Sequence, residues 1–141
     1  MQQPEISVVI PFLNEEENLP ELTNALEAYL KTFPVPVEVI FVDDGSTDGS
    51  VAWLRQKKFS SFAAKIVVLS KNYGSHPAVR AGFQHATAPN CIWLGADLQE
   101  PLEIIGKAYE KMKEGYDLIC IQKNSVRYQN RKNAFHEFIP I

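Results

Sequence analysis

The sequence has few cysteines and no long apolar run, and these absences exclude several classes of protein. Only Cys91 and Cys120 occur among 141 residues, and both lie inside apolar runs without the spacing of metal ligands. We expect them to be buried thiols of a reducing, cytoplasmic compartment, and we expect no zinc site. No run approaches the roughly 18 apolar residues of a membrane-spanning helix, and residues 1–4 lack the features of a signal peptide.

An excess of basic charge is also absent. The formal net charge is −3, the isoelectric point is near 5.6, and no basic stripe interleaved with aromatic residues occurs. We therefore expect no nucleic acid partner. The 45% hydrophobic and 22% charged residues that are present are typical of a soluble domain of ordinary size.

Short apolar runs alternate with segments of helical period. Strands are predicted at Ile6–Ile10, Val37–Val42, Lys65–Ser70, Cys91–Leu94 and Tyr116–Ile121. Four helices are predicted. The first covers Leu19–Phe33, and the second begins after a cap at Ser46 or Thr47. The third runs from Pro77 to about Ala86, and the fourth from Pro101 to a C-cap at Gly115. The third run, Lys65–Ser70, is continuously apolar in its centre, so we expect it to be buried on both faces. The alternation predicts a three-layer α/β/α sandwich with a mostly parallel sheet.

Acidic clusters follow three of these predicted strands. They are Pro11–Glu15, Asp43–Ser46 and Asp97–Pro101. Because the carboxyl ends of parallel strands form the ligand crevice of an open sheet, we expect the three clusters to converge there. A carboxylate-lined crevice without an obvious nucleophile suits a divalent cation and the phosphates that it carries.

Each cluster also has a simpler interpretation. Asn14 could be the N-cap of the first helix, with Glu17 in the capping-box position. Asp43 and Asp44 could belong to an ordinary Asp-Gly turn, although adjacent carboxylates repel unless partners are supplied. Asp97–Pro101 could be only the start signal of a helix.

At these motifs the sequence resembles the family 2 glycosyltransferases with the GT-A fold. Within that family it is most similar to the branch that transfers a sugar from a nucleotide donor to a polyprenyl phosphate, such as dolichyl-phosphate mannosyltransferases and bactoprenol glucosyltransferases. The matching segments are Ile6–Glu15, Val42–Asp48, Lys71–Gly74, Ala81–Gly82 and Ala96–Pro101. Five ordered motifs at compatible spacing cover about residues 5 to 122.

The resemblance implies a set of donor-binding residues. The implied nucleotide-binding residues are Pro11, Phe12, Glu15, Asp43, Asp44, Lys71 and Arg80. Lys71 and Arg80 would neutralise donor phosphates, but isolated basic residues of this kind are also typical of a solvated surface. His76 adjoins the same loop, and we interpret it as a cap or surface residue rather than a catalytic base.

The resemblance also implies a metal site, with one departure from the family. The family usually has Asp-Ala-Asp-Leu-Gln where this chain has Gly95-Ala96-Asp97-Leu98-Gln99. Asp97, the implied catalytic residue, and Gln99 would hold Mg²⁺ or Mn²⁺ through oxygen atoms. Gly95 removes the first carboxylate, so the coordination is weaker than is usual in the family.

The implied reaction is an inverting single displacement, with a UDP-sugar favoured as the donor. The acceptor would be a polyprenyl phosphate or a cell-envelope glycan. A phosphate acceptor is already anionic near neutral pH and needs no general base, whereas a hydroxyl acceptor does. The full-length enzyme would act at the cytosolic face of the membrane.

The regular pattern ends after Gln122. We expect a nucleotide-sugar-binding domain over residues 1–122 and the start of a truncated acceptor-side segment over residues 123–141. Any membrane contact would come only through the missing C-terminal part. Four basic residues in this stretch suit either a solvated face or a phosphate site, and in the resemblance Lys123 and Arg127 stand near the family's Gly-x-Arg region.

Three other classes of protein are alternatives to this interpretation. A phosphoacceptor receiver domain has its acidic pair after the first strand, whereas Asp43 and Asp44 follow the second. A sugar-nucleotide pyrophosphorylase needs a glycine-rich loop after the first strand, and Pro11–Glu15 contains no glycine. A non-catalytic nucleotide-binding module of the same fold stays open, because of Gly95 and the shortness of the chain.

Overall fold

The computed structural model describes residues 2–115 in full, and the backbone of residues 118–122, 125–130 and 133–140. The chain divides into two compact units, Met1–Leu102 and Glu103–Ile141. The domain boundary predicted at residue 122 remains a prediction.

The first unit contains a parallel four-stranded sheet. Its strands are β1 (Ile6–Phe12), β2 (Val37–Asp43), β3 (Ala63–Val68) and β4 (Asn90–Trp93), and its helices are α1 (Leu19–Leu30), α2 (Ser50–Gln56) and α3 (Ser75–His85). The strand order is β3-β2-β1-β4 and all neighbours pair in parallel. Right-handed crossovers then place α1 and α2 on one face of the sheet and α3 on the other. This confirms the predicted α/β fold.

The core lies around the two central strands. Every residue of β2 is buried, as are six of the seven in β1, because both strands have neighbours on each side and helices over each face. Leu19, Leu22, Leu26 and Leu30 form the buried stripe of α1. On the α3 side, Ala78 packs in a buried cluster with Val9, Ile40 and Val42.

Two burial predictions were wrong, both at the edges of the described sheet. β3 has only intermediate and exposed residues, and Val68 is 47% exposed. An apolar run cannot distinguish a central strand from an edge strand, and the strand order puts β3 at the edge. Cys91 is likewise exposed, because β4 forms the other edge of this sheet. The side chain of Cys120 lies outside the described residues.

The predicted N-caps of the first two helices were also wrong. α1 begins at Leu19 and its N-cap is Asn18, so Asn14 and Glu17 do not form a capping box. α2 begins at Ser50 after Gly49, with no side-chain cap from Ser46 or Thr47. Instead, Ser46 Oγ accepts a hydrogen bond from the N–H of Asn14, and Asn14 Oδ1 accepts one from the N–H of Thr47.

The second unit contains α4 (Glu103–Lys113) and the strands β5 (Leu118–Gln122), β6 (Ser125–Asn130) and β7 (Asn133–Pro140). Gly115 follows α4 with φ +97°, and its N–H donates to the carbonyl of Met112 at 3.0 Å, as predicted for a C-cap. The interpretation of 116–121 as a further strand of the parallel sheet was wrong, because β5 pairs antiparallel with β6. Only two residues separate these strands, too few for a parallel crossover. Among the described residues, no helix is both long and apolar enough to cross a membrane.

Candidate functional site

A crevice of about 410 Å³ lies where β1, β2 and β4 end. Its lining residues come from these strand ends and from the loop before α3, and they are Pro11, Phe12, Leu13, Glu15, Asp44, Asn72, Gly74, Ser75, Trp93, Gly95, Ala96 and Asp97. The convergence expected for an open parallel sheet is therefore present. Three carboxylates line the crevice, so a bound polyanion would need cations as partners.

Five of the predicted site residues line this crevice and four do not. Pro11, Phe12, Glu15, Asp44 and Asp97 line it. The remaining four are not among its lining residues: Asp43 is buried at the end of β2, and Lys71, Arg80 and Gln99 are exposed. The ammonium of Lys71 lies over the Tyr73 ring, 5.2 Å from its centroid.

A larger cavity of about 520 Å³ lies elsewhere, beside the start of β2. Prolines, apolar side chains, two serines and Lys31 line it, and no carboxylate does. Its chemistry does not suit a phosphate-bound divalent cation. The crevice at the carboxyl ends of the strands is therefore the better candidate.

Asn14 joins the loop after β1 to the loop after β2. Its Oδ1 accepts hydrogen bonds from the backbone N–H groups of Thr47 at 2.8 Å and Asp48 at 3.3 Å, and its own N–H donates to Ser46 Oγ at 2.8 Å. Asn14 has φ +52°, a left-handed conformation that asparagine adopts more readily than most residues. The Asn-Glu motif therefore holds the two loops together.

Three more bonds continue this junction of the loops. The N–H of Glu15 donates to Ser50 Oγ at 3.1 Å, and the N–H of Glu16 donates to Asp48 Oδ2 at 3.2 Å. Glu16 Oε2 in turn accepts from Gly49 N–H at 3.1 Å. Burial alone would raise the pKa of Asp48, but hydrogen bonds from Ser50 and Glu16 lower it by more than burial raises it. The net shift of the Asp48 pKa is therefore downward. The backbone of Glu15, a crevice residue, is thereby fixed from both sides.

The two adjacent aspartates have different partners. Asp43 Oδ1 accepts from the N–H of Ser46 at 3.0 Å, within its own turn. Asp44 reaches across to the loop before α3 and accepts from Tyr73 N–H at 2.8 Å and Gly74 N–H at 3.1 Å. Backbone donors therefore satisfy both carboxylates and remove the objection that adjacent charges repel.

Gly45 allows this loop to come close. It has φ +85°, and a β-carbon there would lie 2.6 Å from the backbone nitrogen of Asn72. Any side chain at position 45 would push away residues 71–74, which Asp44 holds at the crevice. The Asp-Asp-Gly motif thus has a structural role as well as a place at the site.

The proposed metal position, at Asp97 and Gln99, offers side-chain oxygen atoms as its ligands. Asp97 is exposed, its Oδ1 accepts from Gln99 N–H at 3.3 Å, and Leu98 between them has φ +61°. Over residues 2–115 no group of three or more His, Cys, Asp or Glu side chains is arranged to hold a metal ion. The residues fit a hard cation such as Mg²⁺ or Mn²⁺ that takes its other oxygens from phosphate and water, and they do not fit zinc.

Comparison with known proteins decides the family. Residues 7–140 match the family described as Glycosyl transferase family 2. The chain belongs to this family. The match confirms the resemblance.

The curated relatives of this family 2 chain include two transferases of the same description. An undecaprenyl-phosphate 4-deoxy-4-formamido-L-arabinose transferase of Klebsiella pneumoniae (strain 342) is 40% identical over 130 residues, which cover 92% of this chain and 38% of the relative. The transferase of that description from Pseudomonas paraeruginosa (strain DSM 24068 / PA7) is 38% identical over 134 residues, which cover 94% of this chain and 38% of the relative. The chain therefore spans 38% of the length of these relatives.

Solved glycosyltransferases share the fold. The mannosyltransferase PcManGT from Pyrobaculum calidifontis, in complex with GDP-Man and Mn²⁺, superposes with a TM-score of 0.71 at 22% identity, covering 88% of this chain and 37% of that one. S. aureus TarS 1-349 in complex with UDP-GlcNAc superposes with a TM-score of 0.65 at 25% identity, and the match covers 78% of this chain and 31% of the TarS chain. The GT-A fold of this family 2 chain is thereby established.

Sequence reasoning missed several residues at the crevice. Trp93 lines it and is 53% exposed, and Gly74 and Ser75 line it where α3 begins. The signals were present, since Trp93 closely precedes the Gly95–Pro101 motif and Gly74 ends the Lys71–Gly74 motif. Glu100 belongs to the Ala96–Pro101 motif, and the structure adds that its carboxylate lies near position 95.

Proposed function

We propose that this chain is the donor-binding part of an enzyme that transfers a sugar from a nucleotide-diphosphate sugar to a polyprenyl phosphate. The observation that carries the proposal is the crevice, which gathers Pro11, Phe12, Glu15 and Asp44 beside Asp97. The relatives named as undecaprenyl-phosphate sugar transferases support the acceptor class. A UDP-sugar is the favoured donor, and the UDP-GlcNAc bound to TarS supports that choice.

The crevice offers different chemistry to the two ends of a donor. Pro11 and Phe12 give apolar contact for a base, and Glu15 and Asp44 give acceptors for ribose and base hydrogens. Each Asp44 oxygen accepts one backbone N–H, which leaves further lone pairs for a ligand. Asp43 does not line the crevice and accepts a hydrogen bond within its own turn, so it would support Asp44 from behind rather than touch the nucleotide.

The start of α3 suits the diphosphate. Gly74 and Ser75 line the crevice at the amino end of this helix, where the helix dipole and unpaired N–H groups favour an anion. Lys71 and Arg80 are the side-chain cations proposed for the same phosphates. Both are exposed outside the crevice lining, so donor binding would have to draw them inward.

Asp97 and Gln99 would hold Mg²⁺ or Mn²⁺ next to the diphosphate. A cation bound there would neutralise the charge that develops on the departing nucleoside diphosphate. Asp97 contributes a hard anionic oxygen, and the bond from Gln99 N–H orients its carboxylate.

The proposed reaction is a single displacement with inversion. A bond forms between the acceptor phosphate oxygen and the anomeric carbon, while the bond from that carbon to the diphosphate oxygen breaks. The attacking oxygen is already anionic, so the residues of this chain need not supply a base. Acceptor binding, at the cytosolic face of the membrane, is proposed for the part of the enzyme beyond this chain.

Isothermal titration of the 141-residue chain with UDP, with and without Mn²⁺, tests the proposal. We expect binding that Mn²⁺ strengthens, and Glu15→Ala should weaken it about tenfold, the worth of one hydrogen bond to a charged group. Glu17→Ala is the matched control, because Glu17 is exposed and does not line the crevice. Folded protein that binds no nucleotide at millimolar concentration would refute the proposal.

The second candidate is a non-catalytic nucleotide-binding module, and Gly95 favours it because a usual acidic residue is missing. The same titration separates the two. A module that only binds nucleotide would bind UDP equally well with and without Mn²⁺.

A further inference from the structure

Two carboxylates border the space that a side chain at position 95 would occupy. A β-carbon added to Gly95 would lie 3.1 Å from Oδ1 of Asp97 and 3.4 Å from Oε2 of Glu100. Both oxygens therefore lie within 3.4 Å of a single point. That point is where the side chain of the family's usual first aspartate would begin. The carboxylate of Glu100 thus lies beside the position from which one has been lost.

Neither carboxylate has a cationic partner among residues 2–115. The ion pairs in that part of the chain join Lys65 to Glu38, Lys111 to Glu114 and Lys113 to Glu110. The bond from Gln99 N–H to Asp97 leaves the negative charge in place. Two neighbouring carboxylates without a cationic partner repel each other, and a divalent cation bound by both would relieve that repulsion. The local charge balance therefore favours a bound cation.

We propose that Glu100 supplies the second anionic oxygen of the divalent-cation site, in place of the carboxylate that Gly95 lacks. The inference rests on the proposed function, in which Asp97 holds the cation of the donor diphosphate. Carboxylate oxygens are the ligands that Mg²⁺ and Mn²⁺ prefer, and Glu100, which like Asp97 follows position 95 in the chain, offers a second one beside that position. The departure from the family motif is thereby compensated within the same loop.

Mn²⁺ binding to the 141-residue chain, followed by the electron paramagnetic resonance signal of the free ion, tests the role of Glu100 directly. Titrations are made with and without UDP. Glu100→Gln should weaken Mn²⁺ binding by about tenfold or more, and Asp97→Ala should abolish the Mn²⁺-dependent strengthening of UDP binding. Glu103→Gln makes the same charge change at a residue three positions on, and it should alter Mn²⁺ binding less than about twofold, since a carboxylate that is not a ligand acts on the ion only through solvent, where its charge is screened.

A rescue variant makes the test specific. In the double variant Gly95→Asp with Glu100→Gln, the carboxylate is returned to the position usual in the family, and Mn²⁺ affinity should recover to within about threefold of the native chain. Circular dichroism confirms that each variant is folded.

Three outcomes would overturn the role of Glu100. The native chain could fail to bind Mn²⁺, or Glu100→Gln and Glu103→Gln could change the Mn²⁺ affinity equally. The third outcome is a loss of Mn²⁺ affinity in Asp97→Ala with no loss in Glu100→Gln. Failure of UDP to bind is a separate result, which would refute the proposed function. In that case the Mn²⁺ titration without nucleotide still decides whether Glu100 is a ligand.

Discussion

Glu38 is the clearest case of a single residue that depends on its partners. It lies on β2 and is 2% exposed, yet it carries a carboxylate. Oε1 accepts from Ser7 Oγ at 2.6 Å and from the N–H and Oγ1 of Thr87 at 2.7 and 2.9 Å, while Oε2 pairs with Lys65 Nζ at 3.0 Å. The residue therefore ties three strands to the loop before β4, and each of its partners satisfies part of a buried charge.

We predict that Glu38 makes stability fall in acid. Burial raises the pKa of Glu38, but bonds from Ser7, Thr87 and Lys65 outweigh it and lower the pKa from 4.5 to about 2. Because the folded-state pKa is below the unfolded one, the stabilisation is present above about pH 4.5 and is lost as the pH falls towards 2. It amounts to about 3 kcal/mol, since one pKa unit is worth about 1.4 kcal/mol.

Urea denaturation at several pH values between 2.5 and 7 measures this effect. Glu38→Gln should lower the free energy of unfolding at pH 7 and flatten its dependence on pH below 4.5. Glu21→Gln, at an exposed position of α1, should leave the pH dependence as it is in the native chain. If the free energy of unfolding of Glu38→Gln fell with decreasing pH as steeply as that of the native chain, Glu38 would not be the source of the acid sensitivity.

At the scale of elements, the site depends on loops that bond to one another rather than on single helices or strands. The loops after β1 and β2 are joined through Asn14 and Glu16, and Asp44 ties the second of them to the loop before α3. A further junction joins Glu27 of α1 to Ser60 and Ser61 before β3, and these bonds outweigh desolvation to lower the Glu27 pKa. Backbone groups in these loops thereby obtain partners that helices and strands would otherwise supply.

The packing of α3 on the sheet yields a prediction for Gly82. A β-carbon at this buried position would overlap Cγ1 of Val9 and lie 3.1 Å from Cγ2 of Val42. Alanine is the better helix former by about 1 kcal/mol, but the overlap should dominate and destabilise the protein by about 1–3 kcal/mol. Thermal or urea denaturation of Gly82→Ala measures it, with Gln84→Ala, at an exposed position of α3, as the control. Equal or greater stability of Gly82→Ala would show that the sheet yields at this point.

At the scale of the whole molecule, the chain holds the crevice proposed to bind the donor but spans 38% of the length of its curated relatives. The first unit contains every residue that lines the crevice. The proposed function assigns no residue of that unit to acceptor binding. Donor binding and sugar transfer are therefore expected to separate in this chain.

We predict that the 141 residues alone transfer little or no sugar, even when they bind donor. The measurement is the incorporation of radiolabelled sugar from UDP-sugars into polyprenyl phosphate in detergent micelles. UDP binding to the same preparation, measured by titration, controls for folding. Robust turnover by residues 1–141 would show that the acceptor platform lies within this chain.

Local sequence determined the elements of this protein and the order of its site motifs. Apolar runs and helical periods predicted β1, β2, β4 and the helices, because these patterns reflect which face of an element is buried. The rule that ligands bind at the carboxyl ends of parallel strands then placed Pro11, Glu15, Asp44 and Asp97 at one edge. The family motifs were readable for the same reason, since each is a short contiguous segment.

Tertiary structure alone decided the features that depend on partners distant in the chain. Strand order put β3 and Cys91 at edges, which no run of apolar residues reveals. Asn14 bonds to residues more than thirty positions away instead of capping α1, because bonds across loops satisfy its side chain better than the local helix start. The approach of Glu100 to position 95 likewise follows from the turn at Leu98, whose φ of +61° a sequence pattern does not encode.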